Sequence, residues 1–264
     1  MPAELIPALQ KDDALLKDIQ RTASDREAFH LWWLGQSGYL IQWQGHYLLI
    51  DPYLSDSLTH KYARTEKPHT RMSERVVDPS RLNFIDVVTS SHNHTDHLDG
   101  ETLQALFRVN PDLKLVIPEA NRAFVAERLE IDADLPLGLN DGESVTVADF
   151  TFHAVPAAHE TVERDEAGRC RFLGYVIQFG PYTVYHSGDT LCYEGLPWFT
   201  GAAVLAAGAP AMEVVIVAGL YALGAHGIMT LNDFKAIEGD RATGVRSLPA
   251  TLGPRRAARI ACFV

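Results

Sequence analysis

The stretch Ser91-His92-Asn93-His94-Thr95-Asp96-His97-Leu98-Asp99 decides how this chain is read. It packs three histidines and two carboxylates into residues 92–99, directly after the run Ile85-Asp86-Val87-Val88-Thr89-Ser90. Neutral imidazole and carboxylate are the donors that divalent transition metals prefer. The preceding run is β-branched and apolar and ends in small polar residues, which predicts a buried strand. In extended chain, alternate residues share a side, so His92 and His94 can reach one ion together. Asp96 and His97 are consecutive and need a sharp turn to diverge toward a second ion. Residues 100–107 have the pattern of an amphipathic helix that would fix the loop from behind. The plain alternative is a solvated histidine-rich loop. The agreement of strand, ligand order and helix argues against it.

Two later segments extend the constellation. Phe152-His153-Ala154-Val155-Pro156-Ala157-Ala158-His159 reads as a strand entering a loop that carries His159. Tyr182-Thr183-Val184-Tyr185-His186-Ser187-Gly188-Asp189 reads as a strand ending in a small-residue turn that presents Asp189. A carboxylate has two oxygens and can bridge two cations, so Asp189 is the natural bridging candidate.

Around these segments the organisation is coarse but readable. Residues 3–28 space Leu5, Leu9, Leu15, Leu16 and Ile19 in a helical manner and predict a helical arm, residues 1–29, packed on the domain or on a partner subunit of a homo-oligomer. Strands are expected over 31–51 around Gln44-Gly45, over 113–117, in a hairpin at 142–152 and over 172–185 about Gly180-Pro181. A helix is expected over 119–129, and 54–80 is polar without a clear period. Strands followed by helix, repeated once, suggest two packed sheets with helices outside.

The chain resembles the metallo-β-lactamase superfamily. Within it, the sequence is similar to the metal-dependent hydrolase branch that includes ascorbate-6-phosphate lactonase and the N-acylphosphatidylethanolamine phospholipase D relatives. The resemblance rests on Trp33-Leu34-Gly35-Gln36-Ser37-Gly38-Tyr39-Leu40-Ile41, Leu48-Leu49-Ile50-Asp51-Pro52-Tyr53-Leu54, the 92–99 motif, His159 and Gly188-Asp189-Thr190, in family order across residues 30 to 195. It implies an α/β fold, the αββα sandwich, over residues 30–264. It also implies a first metal on His92, His94 and His159, a second on Asp96 and His97, and Asp189 as the bridge.

From about residue 196 the chain departs from that pattern. Val214-Val215-Ile216-Val217 and residues 229–237 can supply the next strand and helix. The Pro-x-His element that delivers a last ligand is absent, and Gly253-Pro254-Arg255-Arg256-Ala257 stands in its place. His226, the only histidine after Asp189, is the candidate substitute ligand. Residues 241–264 carry five arginines and no acidic residue, against a net charge of −11 for the chain. That tail reads as a basic surface segment or as a change of reading frame.

The composition agrees with the main reading. At 264 residues, 47% hydrophobic and 22% charged, the chain can bury one sizeable core. No run is long enough to span a membrane, and no secretory signal is expected. Three scattered cysteines suit a reducing, cytoplasmic setting better than a disulfide framework. The acidic balance speaks against nucleic-acid binding.

Other residues have candidate roles. Asp51, at a strand end, is a candidate to support the metal loop through a hydrogen bond, or an ordinary strand-end carboxylate. His186 is a candidate substrate contact. The 60–75 segment has a local positive excess, with Arg64 and Arg71 as candidates to bind an anionic small-molecule substrate; a solvated loop is the plain alternative.

Together these features predict a metal-dependent hydrolase holding two divalent ions, zinc or manganese with iron as a third option. A bound ion lowers the pKa of water from ~15.7 toward ~7, and the resulting hydroxide attacks an ester-like bond. Asp96 is the candidate to accept or relay the proton. A small lactone is the favoured substrate. The alternatives are a phospholipase D-like phosphodiesterase and a degraded, non-catalytic metal-binding protein.

Overall fold

In the computed structural model, residues 5–193 are described except Lys67 and Thr70, together with Gly195, Leu196, Ile237, residues 248–253 and residues 255–257. The chain divides into two units, Met1–Gly208 and Ala209–Val264. The expected strand at 214–217, the helix at 229–237 apart from Ile237, and His226 lie outside the described residues. Within the second unit, Leu248–Leu252 forms a short helix.

Two sheets make the first unit. β1 (His30–Gly35), β2 (Gly38–Trp43), β3 (His46–Ile50), β4 (Val87–Thr89), β5 (Lys114–Pro118) and β6 (Leu137–Leu139) lie side by side in that order. β1 to β3 pair antiparallel, and β3 to β6 run parallel. The second sheet has the order β10 (Tyr182–His186), β9 (Leu173–Phe179), β8 (Phe150–Pro156), β7 (Ser144–Val147), all antiparallel. Apart from β6, which the sequence reading did not anticipate, these strands fall where the β-branched and aromatic runs predict them.

The pleat sends alternate residues of the first sheet to two different cores. Ile41, Leu48, Ile50, Val87 and Val116 meet Phe150, Phe152, Leu173, Tyr175 and Ile177 of the second sheet. Their neighbours Leu40, Leu49, Val88, Leu115 and Ile117 pack instead with helices. Those helices are α1 (Asp12–Thr22), α3 (Gly100–Val109) and α4 (Arg122–Leu129), which contribute Leu15, Ile19, Leu103, Leu106, Val125 and Leu129. The first sheet is therefore apolar on both faces, as its near-continuous hydrophobic runs require. No helix of the described residues is long and apolar enough to cross a membrane.

Three elements differ from the sequence expectation. The arm is helical only over Asp12–Thr22, while Ile6 is extended and bridges Ser73 in parallel. Pro7 accounts for this, because the residue before proline is pushed out of the helical region and proline cannot donate within a helix. The helix expected over 119–129 begins as a 3-10 turn, Glu119–Asn121, and becomes α4 only at Arg122. The 54–80 segment contains a short helix, α2 (Ser57–Tyr62).

Phe152 is fully buried between the sheets. Truncating a buried aromatic removes its transfer energy and leaves a cavity, so Phe152→Ala should cost about 3–5 kcal/mol, read from the urea midpoint. A loss within error would mean that the two sheets do not share this core.

Candidate metal centre

The motif follows β4, and its loop is tied down on every side. The Ser90 hydroxyl donates to the His92 carbonyl at 2.7 Å, and the Ser90 carbonyl accepts from the Tyr175 hydroxyl of β9 at 3.1 Å. The Leu173 amide donates to the Ser91 carbonyl at 3.0 Å, a second tie to the same strand. A tight turn, with the His97 and Leu98 amides donating to the His94 carbonyl, lets Asp96 and His97 diverge. The Arg128 guanidinium of α4 donates to the carbonyls of Asn93 and Leu98. Asp99 is fully buried and accepts from the hydroxyls of Ser57 and Thr102, which anchors the start of α3.

Beneath this loop lies Asp51, fully buried at the end of β3 with φ of +38°. A non-glycine residue holds that conformation only where its surroundings fix it. Here they do. The Thr89 hydroxyl donates to Oδ1 at 2.7 Å, and the Ser91 amide and hydroxyl both donate to the carboxylate. His97 Nδ1 lies 2.7 Å and His186 Nε2 3.0 Å from Oδ2. Burial opposes the charge of Asp51. The imidazoles of His186 and His97 outweigh it and hold the carboxyl well below its ordinary range.

With Nδ1 held by Asp51, His97 presents Nε2 to two carboxylates, Asp189 at 3.1 Å and Asp96 at 3.8 Å. Ligand-capable atoms of Asp96, His97 and Asp189 all lie within 4.8 Å of one another, and so do those of His92, His94 and Asp189. Asp189 belongs to both groups, which is the arrangement a bridging carboxylate requires. His159 joins the first group, its ring centroid 4.6 Å from that of His94 and 6.0 Å from that of His92. Phe172 stacks beside all three of these imidazoles.

The loops carrying His159 and Asp189 are bound to each other. The Ala158 amide donates to Thr190 Oγ1 at 2.9 Å, and the Leu191 amide to the Ala158 carbonyl at 2.7 Å. Gly188, with φ of +54°, permits the approach, since a Cβ there would come within 2.9 Å of the Ser91 hydroxyl.

The donor set fits divalent metal ions, and an unpartnered ring nitrogen carries that fit. Among the described residues, buried His92 Nε2 has no hydrogen-bond partner, and it lies 3.8 Å from Asp189. Burial, and then the neighbouring His97, lower the His92 pKa to about 3, which keeps this imidazole neutral as a ligand must be. Burial and the nearby His159 also lower that of His94. His97 goes the other way. Burial would depress it, but Asp189 and Asp51 on opposite ring nitrogens prevail and raise it to about 10. The acidic excess around His97 thus draws in positive charge, a need that a divalent cation meets equally well.

The remaining candidates stand around the cage. His186 turns inward to Asp51, its side chain only 10% exposed, because the register of β10 on β9 turns it toward the first sheet, and its ligand-capable atom lies within 4.8 Å of those of Asp51 and His97. Arg71 donates from Nε to Asp56 at 2.9 Å, donates from Nη2 to the Ser55 carbonyl and covers the Tyr53 ring, so its guanidinium is engaged by the protein. Arg64 is exposed and lines no part of the cleft beside His97 and Asp189. Gln36, in the turn between β1 and β2, donates to Asp96 Oδ2 at 3.1 Å. Its φ of +52° marks a turn that nothing in its residue type announces.

Comparison with known proteins identifies the family. A family model described as "Beta-lactamase superfamily domain" matches residues 30–207. A UPF0173 metal-dependent hydrolase of Hyperthermus butylicus is 30% identical over 160 residues, covering 60% of each chain. The mitochondrial N-acyl-phosphatidylethanolamine-hydrolyzing phospholipase D of Saccharomyces cerevisiae is 29% identical over 167 residues, 60% of this chain and 33% of that one. A third relative is of another kind. The bacteriochlorophyll synthase 33 kDa chain of Cereibacter sphaeroides is 76% identical over 74 residues, 28% of this chain and 24% of that one. The chain therefore spans under two thirds of each of these relatives.

Two measurements check the centre. Replacing Asp51 by Asn removes the charge that orients His97, and loss of such a supporting carboxylate should weaken metal binding by about 10–100-fold in a chelator competition. In EDTA-treated protein, the stability contributed by the raised His97 is fully present below pH 6.5 and is lost as pH rises through about 10. Thermal midpoints should fall across that window, and His97→Gln should flatten the fall.

Proposed function

The chain belongs to the beta-lactamase superfamily domain family, and from that premise we propose that it is a metal-dependent hydrolase acting on a small ester-like substrate, a lactone in the favoured case. The observation that carries the proposal is the convergence of His92, His94, Asp96, His97 and Asp189 into two groups that share one carboxylate. We assign His92, His94 and His159 to one divalent ion, Asp96 and His97 to a second, and Asp189 to both. Zinc, manganese and iron all suit imidazole and carboxylate donors. When bound, such ions make water nucleophilic at neutral pH and polarise the oxygen of the bond to be cleaved.

The chain's own residues supply the rest. Asp51 fixes the His97 ring, so that Nε2 faces the reaction side. Asp96 stands at the centre with one oxygen steadied by Gln36 and takes up the proton released when water attacks. Phe172 closes one side of the imidazole cluster and keeps bulk water from it.

The phosphodiester reading draws support from the phospholipase D relative, which shares this stretch of chain. A non-catalytic reading draws support from the bacteriochlorophyll synthase match. We place that match at the C-terminal end, where the chain departs from the superfamily pattern. Identity of 76% over 74 residues is not what an out-of-frame translation yields, so the tail reads as coding sequence of separate ancestry. On that account the element expected to carry a last histidine is replaced, and Asp96, His97 and Asp189 hold the second ion with water.

Elemental analysis of the purified chain, with assays on a lactone panel and on bis(p-nitrophenyl) phosphate, separates these readings. Two ions per chain with lactone turnover supports the favoured one, and turnover confined to the diester supports the alternative. His92→Ala should lose at least one ion and reduce turnover by more than 100-fold. No turnover, with one ion or none in the parent chain, would leave the non-catalytic reading standing.

A further inference from the structure

A cleft of about 950 Å³ opens from the metal centre, with His97 and Asp189 in its wall. Most of the remaining wall comes from three separate pieces of chain, β1, residues 69–76 and the arm at residues 6–10, with Leu15, Gln36, Ser37 and Tyr53 completing it. Among the large apolar side chains left exposed on the described residues, Ile6, Leu9, Leu31, Trp33 and Met72 all line this one cleft. Leu9 is fully exposed and Met72 66% exposed. Scattered apolar residues on a surface need no account, but their convergence on one concavity that reaches a reactive centre does.

The arm is held in place as part of that wall. The Ile6 amide donates to the Met72 carbonyl at 2.8 Å, and the Glu74 amide to the Ile6 carbonyl at 3.0 Å. Glu74 then accepts from the Ala8 amide at 3.0 Å and from Lys11 Nζ at 2.9 Å. The charges that line the cleft are already engaged. Arg71 is taken by Asp56 and Ser55, and Glu74 by Lys11. Among the described lining residues no free cation remains to receive an anionic group.

We propose that this cleft is the subsite for an uncharged acyl or alkyl chain of the substrate, with Leu9 and Met72 setting the chain length it accepts. The inference deepens the hydrolase reading by naming the part of the substrate that is not cleaved. Its scissile bond lies at His97 and Asp189, and the hydrocarbon runs toward the arm. Apolar contact replaces the cationic recognition that the 60–75 segment suggested.

The test uses binding as well as turnover, so that the two proposals can fail separately. In titration calorimetry, 1-octanol should bind the chain at least tenfold more tightly than 1-butanol. That preference should vanish in Leu9→Asp and in Met72→Asp, whose side chains are exposed enough for the fold to tolerate the change. On the metal-loaded protein, kcat/KM for p-nitrophenyl octanoate should exceed that for the acetate. Either variant should lower the octanoate-to-acetate ratio at least fivefold. Equal affinity for the two alcohols, or an octanol preference that survives both substitutions, would overturn the subsite. So would binding to phosphatidylcholine vesicles without discrimination between the alcohols, which would make the patch a membrane-facing surface. An octanol preference without turnover of any ester would sustain the subsite and remove the hydrolase reading.

Discussion

The buried carboxylate of Asp51 is the constraint on which the site rests. It lies at the end of a central strand, without contact with solvent, and gathers Thr89, Ser91, His97 and His186 around itself. A buried charge is tolerated only when it is paired and hydrogen-bonded. The same bonds that meet this demand position the ligand loop, because Thr89 and Ser91 flank the start of the motif and His97 is one of its donors. The strained backbone of Asp51 is affordable for the same reason. The fold thus places a costly group in the interior and recovers from it the orientation of a ring on the surface of the reactive site.

Local spacing made the ligands legible. His92 and His94 alternate beyond a strand, Asp96 and His97 sit on a turn, and Gly188 marks the bend that presents Asp189. Each depends on a few consecutive residues, and each stands in the structure beside the others. Both sheets were legible too, from β-branched runs and turn residues. The features that escaped depend on contacts distant in sequence. His186 stands at the end of a well-foreseen strand, but the face it occupies follows from the register of β10 on β9. Arg71 could be seen as a cation; that Asp56 and the Ser55 carbonyl consume it could not. The helical period of Leu15 and Ile19 was real, whereas Leu5 and Leu9 continued that period by coincidence into a stretch that Pro7 keeps extended. The cleft is assembled from residues near 6, 33 and 72, and no single window of sequence contains it.

The C-terminal part has a different standing from the rest. The superfamily match ends at residue 207, and the structure divides between Gly208 and Ala209. The tail's five arginines, without an acidic residue, had already set it apart. A relative of another kind is highly identical over a short stretch. Every interaction described for the cage lies within the first unit.

The candidate ligands do not come from one layer. His92, His94, Asp96 and His97 follow β4 of the first sheet, while His159 and Asp189 follow β8 and β10 of the second. Any cation held by both sets acts as a rivet through the sandwich. Pulling the layers apart would mean breaking coordination bonds as well as apolar packing. With such a cation bound, metal occupancy and mechanical cohesion would be linked, and stripping it would also loosen the seam along which the two sheets meet.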